Sequence, residues 1–136
     1  TLFRMLDKYQ INLPGAILKT SMVLPGKQSG IEFDTQDIAR RTSRALKNEV
    51  PPYLGGVVFL SGGQTPAQAM LNLDAIEGLG PYPWGLTFSY SRALQEPVLE
   101  YWSKDMDQEG AQSIFTSQLR LAVKARAGKL KPEDLV

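Results

Sequence analysis

The chain has 136 residues, a formal net charge of +1, and neither cysteine nor histidine. This length suits one modest domain or part of one, and the missing residue types exclude disulfides, cysteine ligation and histidine base catalysis. Lysine and arginine are spread along the chain, no apolar run approaches the roughly 20 residues of a membrane span, and no signal peptide is evident. We therefore expect a cytoplasmic protein without nucleic-acid or membrane partners.

The first residues already carry a helical apolar stripe, formed by Leu2, Phe3, Met5, Leu6 and Tyr9. No methionine precedes this stripe, so the chain is expected to begin inside a helix. That beginning is typical of a processed product or of one piece of a larger protein.

Three short apolar runs predict strands at residues 16–23, 57–60 and 86–90. The first is bounded by Pro-Gly pairs and the third follows the breaker cluster "GLGPYPWG". Such continuous apolar runs are typical of strands covered on both faces.

Helical patterns lie between and after these runs. Asp34 is placed to cap a helix reaching about residue 48, with Ile38, Ala45 and Leu46 facing inward. A second helix begins at "TPAQ", a capping box with proline at the first helical position, and places Ala69, Met70, Leu73 and Ile76 at helical spacing. Two further helices are expected, from Arg92 to about Trp102 and over about 107–127. The last of these carries Phe115, Leu119 and Val123 and stops at Gly128.

The alternation of strands and helices predicts an α/β fold with a parallel sheet and crossover helices. Three parallel strands cannot close a barrel, and their end strands would leave backbone groups unpaired. A further segment should therefore complete the sheet. Residues 128–136, "GKLKPEDLV", are interpreted as a mobile polar tail.

Active sites of parallel α/β proteins lie at the carboxyl ends of the strands. Side chains alternate along a strand, so Ile17, Lys19 and Ser21 share one face of the first strand. If that face lines a barrel, burial favours a neutral Lys19 amine that attacks a carbonyl. The alternative is a lysine that reaches solvent at the strand end or pairs with a carboxylate.

The second and third strands are followed by candidate phosphate ligands. Ser61, Gly62 and Gly63 offer a hydroxyl and accessible backbone N–H groups before a helix. Ser89 and Arg92 offer a second hydroxyl and a forked cation. A simple glycine turn and an arginine in a surface ion pair are the alternatives. Phosphate sites in eight-stranded barrels often use the loops after the last two strands.

Four segments carry a resemblance to a known family: "ILKTSMVLPG", "VPPYLGGVVFLSGGQ", "NLDAI" and "PWGLTFSYSRALQ". In this order and spacing, over about residues 9–103, the chain resembles the C-terminal part of class I fructose-1,6-bisphosphate aldolases. The resemblance implies that residues 1–136 form the last three β/α units of a TIM (β/α)8 barrel, followed by a C-terminal helix.

The same resemblance implies a lyase of glycolysis and gluconeogenesis. It would cleave fructose 1,6-bisphosphate reversibly to dihydroxyacetone phosphate and glyceraldehyde 3-phosphate, without a metal or cofactor. Lys19 would form the imine, and Ser61, Gly62, Gly63, Ser89 and Arg92 would bind a substrate phosphate. The implied partners are the sugar phosphate, the rest of the barrel and further copies of the protein in a homo-oligomer.

Three features depart from the family pattern. Ser91 stands where the family has glycine, "KPEDLV" lacks the tyrosine-ended tail of the animal enzymes, and the carboxylates and further lysines used for proton transfer belong to earlier strands. Glu32, Asp34, Glu49 and Asp74 are interpreted instead as solvated or capping residues. Two rival hypotheses stay open: a non-catalytic half-barrel that binds sugar phosphate or a partner chain, and another Schiff-base lyase of the same fold.

Overall fold

The computed structural model describes residues 2–26, 28–32 and 34–135, which form five α-helices and a three-stranded sheet. The strands are β1 (Ile17–Thr20), β2 (Gly56–Phe59) and β3 (Leu86–Phe88). The helices are α1 (Leu2–Lys8), α2 (Thr35–Glu49), α3 (Pro66–Glu77), α4 (Arg92–Asp105) and α5 (Gln108–Arg126). Single 3-10 turns lie at Leu13–Gly15 and Pro132–Leu135. None of the helices in these ranges has the length and apolar character needed to cross a membrane.

The sheet is parallel, with strand order β1-β2-β3, as the alternation of elements predicts. Its register pairs Lys19 with Val58 and Val58 with Thr87. The α/β class and the parallel sheet are therefore confirmed.

The helices cover one face of this sheet and leave the other open. Val57 and Phe59 point into the covered side and are completely buried, as are Met70, Leu73 and Ile76 of α3. Burying side chains of this kind stabilises the fold by about 1.5–3 kcal/mol each. On the open face of β1, by contrast, Ile17 is 68% exposed. Coverage of β1 on both faces was wrong for the described residues, because no described element packs against this side.

The first strand is shorter than the apolar run that predicts it. Thr20 is its last residue, although the run extends to Val23. Beyond Thr20 the chain turns toward α2, where the backbone N–H of Val23 donates to Thr42 Oγ1 at 2.9 Å. The apolar residues after the strand therefore pack beside a helix and do not lengthen the sheet.

The predicted helix starts at α2 and α3 are confirmed. The Asp34 carboxylate accepts hydrogen bonds from the N–H groups of Gln36 and Asp37 at the start of α2. At the start of α3, Thr65 and Gln68 form the reciprocal capping box. Each motif pairs N–H groups that have no partner inside the helix.

Two of the three residues that were predicted to face inward on α2 are buried. Ile38 and Leu46 are buried on α2, as predicted, whereas Ala45 is exposed and that prediction was wrong. At 100° per residue, Ala45 lies roughly a quarter turn from the centre of the buried stripe. Its side chain therefore borders the groove beside β1 and not the core.

The last helix packs against α3 and α4 through small side chains. Ala111, Ala122 and Ala125 are buried, and alanine allows a close approach of the helix backbones. The predicted stripe lies on the outer side, where Phe115, Leu119 and Val123 are 39%, 38% and 52% exposed. Gly128, with φ of +61°, follows the helix end as predicted.

The described part of the C-terminal segment packs against the rest of the chain. The N–H of Leu130 donates to Asp74 Oδ1 at 2.9 Å, and Lys124 pairs with Asp134. Leu130 and Leu135 contact the core cluster. The segment is therefore held by both polar and apolar contacts.

Candidate active site

The carboxyl ends of the three strands meet at one edge of the sheet. The N–H of Leu60 donates to Thr20 O at 3.0 Å, and the N–H of Ser89 donates to Phe59 O at 2.8 Å. These two bonds extend the ladder by one residue beyond β2 and β3. They hold the segments that carry the predicted site residues in a common register.

Lys19 lies on the open face of β1, next to the part-buried Val58 and Thr87. Its side chain is exposed among the described residues. Burial was expected only if this face lines a barrel, so the buried lysine stays a prediction. The physical reason for the exposure is that the helices cover the opposite face, to which the neighbouring Leu18 and Thr20 point. Lys19 does face the side of the sheet that the alternation predicts.

The turn after β2, here called the glycine loop (residues 61–64), has a backbone that suits glycine. The N–H of Gln64 donates to Ser61 O at 3.3 Å, which closes the turn. Gly63 has φ of +83°, a conformation that is strained for residues with a Cβ atom. The loop therefore presents backbone that side chains do not cover.

Arg92, the first residue of α4, lies beside this loop. Its Nη2 atom is 3.3 Å from the position that a Cβ atom on Gly62 would occupy. A larger residue at position 62 would therefore press against the guanidinium group. The structure brings a forked cation and the loop backbone together, an arrangement that is suited to a phosphate group.

Ser61 has a partner that local sequence does not reveal. Only 4% of this residue is exposed, and its Oγ accepts a hydrogen bond from the N–H of Ala93 at 3.3 Å. The bond attaches the glycine loop to the first turn of α4. The Ser61 hydroxyl can still donate one hydrogen bond of its own.

Ser89 is part-buried at the end of β3, and Ser91 is the N-cap residue of α4. The Ser91 hydroxyl donates to Gln95 Oε1 at 3.1 Å. Its φ of −106° is accessible to any L-residue, so serine at this position introduces no backbone strain.

Sequence reasoning missed the buried polar groups behind this edge. The Tyr90 hydroxyl donates to Ala69 O at 2.8 Å, and burial raises the pKa of this phenol above its ordinary value. Asn72 Nδ2 donates to Gln64 Oε1 at 2.7 Å. These partners are 21 and 8 residues apart, so neither pattern nor spacing indicates them. In the described part of the chain, no three acidic side chains converge closely enough to hold a metal ion.

Comparison with known proteins assigns this arrangement to a family. The family model "Fructose-bisphosphate aldolase class-I" matches residues 1–135. The chain belongs to the class I fructose-bisphosphate aldolase family. This confirms the resemblance carried by the four sequence segments.

Individual members of the aldolase family are similar over most of this chain. A fructose-bisphosphate aldolase of Plasmodium falciparum is 43% identical over 130 residues, or 95% of this chain and 36% of that protein. A probable class 1 fructose-bisphosphate aldolase of Xylella fastidiosa is 46% identical over 106 residues, or 78% of this chain and 32% of that protein. The chain thus spans about a third of the length of these aldolases.

A solved aldolase shares the fold. It is the Plasmodium falciparum fructose-bisphosphate aldolase, crystallised in a ternary complex with TRAP and a small-molecule inhibitor. The TM-score is 0.91 at 43% identity, and the match covers 96% of this chain and 38% of that one. The α/β arrangement described above is therefore that of an aldolase over its matched part.

Proposed function

We propose that this chain supplies the Schiff-base lysine and one phosphate site of an enzyme that reversibly cleaves fructose 1,6-bisphosphate. The products would be dihydroxyacetone phosphate and glyceraldehyde 3-phosphate. One arrangement carries the proposal: Lys19, the glycine loop and Arg92 lie at the same edge of the parallel sheet. Family membership supports the choice of substrate class.

The proposed phosphate site consists of Ser61, Gly62, Gly63, Ser89 and Arg92. The loop N–H groups and the Arg92 guanidinium provide donors to an oxyanion. From strand geometry, the Cα atoms of Lys19 and Ser89 are about 12 Å apart, since they are separated by two strand spacings and two residues. An extended lysine side chain and a three-carbon phosphate together can span this gap.

The proposed chemistry begins when the neutral Lys19 amine attacks the ketose carbonyl. A general acid protonates the hydroxyl of the resulting carbinolamine, which leaves as water and gives a protonated imine. The protonated imine withdraws electrons from the adjacent bonds. The C3–C4 bond then breaks, its electron pair forms an enamine, and a base removes the proton of the C4 hydroxyl to release the aldehyde. Protonation of the enamine and hydrolysis of the imine return Lys19 and dihydroxyacetone phosphate.

We further propose that another segment, on the same or a separate chain, completes the barrel and covers Lys19. Ile17 and Lys19 are exposed on the open face, and β1 is an edge strand. An apolar groove beside it includes Phe3, Leu18 and Leu46. Exposed edges and apolar grooves of this kind favour association. This chain together with that segment is called the assembled enzyme.

Borohydride trapping tests the proposal directly. The assembled enzyme is mixed with dihydroxyacetone phosphate and reduced, and the peptide containing Lys19 is analysed by mass spectrometry. We expect an adduct on Lys19 that disappears in Lys19→Arg. Lys104→Arg is the matched control, because Lys104 is exposed on α4 and pairs with Glu100. An active Lys19→Arg enzyme would contradict the assignment of the nucleophile.

A non-catalytic half-barrel is the second candidate, and the exposure of Lys19 favours it. Under this alternative, the chain alone binds inorganic phosphate and forms no borohydride adduct, even after the remaining barrel segment is added.

Size-exclusion chromatography with light scattering would test the predicted homo-oligomer in the same samples.

A further inference from the structure

Two amide side chains form a buried contact behind the glycine loop. Asn72 Nδ2 donates to Gln64 Oε1 at 2.7 Å. Asn72 lies in the middle of α3 and is 1% exposed, whereas Gln64 is the last residue of the loop. The contact therefore ties the loop to a helix that is packed in the core.

The other polar atom of each of these two amide groups is buried without a partner among the described residues. They are Gln64 Nε2 and Asn72 Oδ1. Burying an unpaired amide group destabilises a fold, and native proteins contain few such groups. Apolar side chains at positions 64 and 72 would fill the same space without this cost. Local rules are broken most often at functional sites.

The glycine loop depends on its two ends for a defined shape. Gly62 and Gly63 have no side chains that could anchor them, and the turn bond from Gln64 N–H to Ser61 O is long, at 3.3 Å. At one end, Ser61 is held by the hydrogen bond that its Oγ accepts from the N–H of Ala93. At the other end, the Gln64 side chain is held through Asn72.

We propose that Asn72 is a positioning residue. By holding Gln64, it fixes the backbone N–H groups of Gly62 and Gly63 in the direction that a phosphate group requires. Asn72 acts through Gln64 and does not touch the substrate. This inference rests on the proposed phosphate site.

The test compares single and double variants of the assembled enzyme. Asn72→Leu removes the donor and keeps the branched shape and the number of side-chain heavy atoms, and Gln64→Met removes the acceptor at a part-buried position. We expect either change to weaken inorganic phosphate binding and to raise KM for fructose 1,6-bisphosphate about fivefold to tenfold, the size of one lost buried hydrogen bond. The kcat value should change much less. The double variant should bind phosphate no more weakly than the single variant with the lower affinity, since the two substitutions remove the same contact.

Ile76→Val is the matched control, because Ile76 is fully buried at the far end of α3. It should lower the melting temperature without changing phosphate affinity. Amide NMR signals of Gly62 and Gly63 should move in Asn72→Leu and Gln64→Met but not in Ile76→Val.

The outcomes separate this inference from the proposed function. Unchanged phosphate affinity in folded Asn72→Leu or Gln64→Met would overturn the positioning role. If Asn72→Leu fails to fold, Gln64→Met decides the question. If the parent protein binds no phosphate, or if Arg92→Leu leaves the phosphate affinity unchanged, the proposed phosphate site is contradicted. The positioning role of Asn72, which depends on that site, is then contradicted as well.

Discussion

The Tyr90 hydroxyl donates a hydrogen bond of 2.8 Å to the carbonyl oxygen of Ala69. This contact joins the end of β3 to the first turns of α3, directly behind the proposed phosphate site. Tyr90 is 8% exposed and its ring packs against Phe88 at a centroid distance of 5.4 Å. The edge that carries the site is therefore supported by a buried polar contact.

Replacing Tyr90 with phenylalanine should lower the free energy of unfolding by about 1 kcal/mol, because it leaves the Ala69 carbonyl without this partner. Urea denaturation of the chain measures the change. Tyr53→Phe is the matched control, since Tyr53 is 58% exposed and should have almost no effect. Equal losses in the two variants would contradict a specific role for the buried hydroxyl.

Tyr90 should also contribute to loss of stability at alkaline pH. Burial raises the pKa of this phenol in the folded state above the ordinary value of 10.0. The unfolded chain therefore releases the proton first, so the stabilisation is present below about pH 10 and is lost as pH rises further. Between pH 8 and 12, the free energy of unfolding should fall less steeply with pH for Tyr90→Phe than for the parent chain. Identical slopes would refute this contribution.

Gly63→Ala should destabilise the chain by about 1–2 kcal/mol, because alanine is strained at a φ of +83°. Gly26→Ala is a suitable control, since no heavy atom lies within 4 Å of a Cβ at that position and its φ is not positive. Thermal unfolding of both variants measures the difference. A harmless Gly63→Ala would mean that the loop adopts another conformation.

Arg92→Leu should weaken binding of inorganic phosphate by the assembled enzyme at least tenfold, because hydrogen bonds to charged groups contribute about 1.5–3 kcal/mol. Arg92→Lys should recover only part of the loss, since an ammonium group lacks the planar fork. Titration calorimetry at two salt concentrations measures both effects. Arg44→Leu, at an exposed position of α2, should bind phosphate like the parent.

Asp34→Ala should lower the stability of the chain by about 1 kcal/mol, because the carboxylate caps two N–H groups of α2. Glu32→Ala is the control, since Glu32 is exposed and precedes the cap. Chemical denaturation would show the difference, and an equal response of the two variants would argue against the cap.

Elements with local causes could be predicted from the residues alone. Asp34 and the Thr65–Gln68 pair mark helix starts because their side chains reach N–H groups two or three residues away. The alternation of strands and helices was sufficient to predict a parallel sheet. Period-two alternation also identified the face of β1 on which Lys19 lies.

Which surfaces are covered and which distant groups meet could not be predicted in this way, because both depend on how the elements pack. Exposure of Lys19 and Ala45 depends on where the helices pack, and the apolar character of a residue does not encode this. The Ser61–Ala93 and Tyr90–Ala69 contacts join residues 32 and 21 positions apart. Such contacts arise when the chain folds back on itself, so no local pattern of residues specifies them.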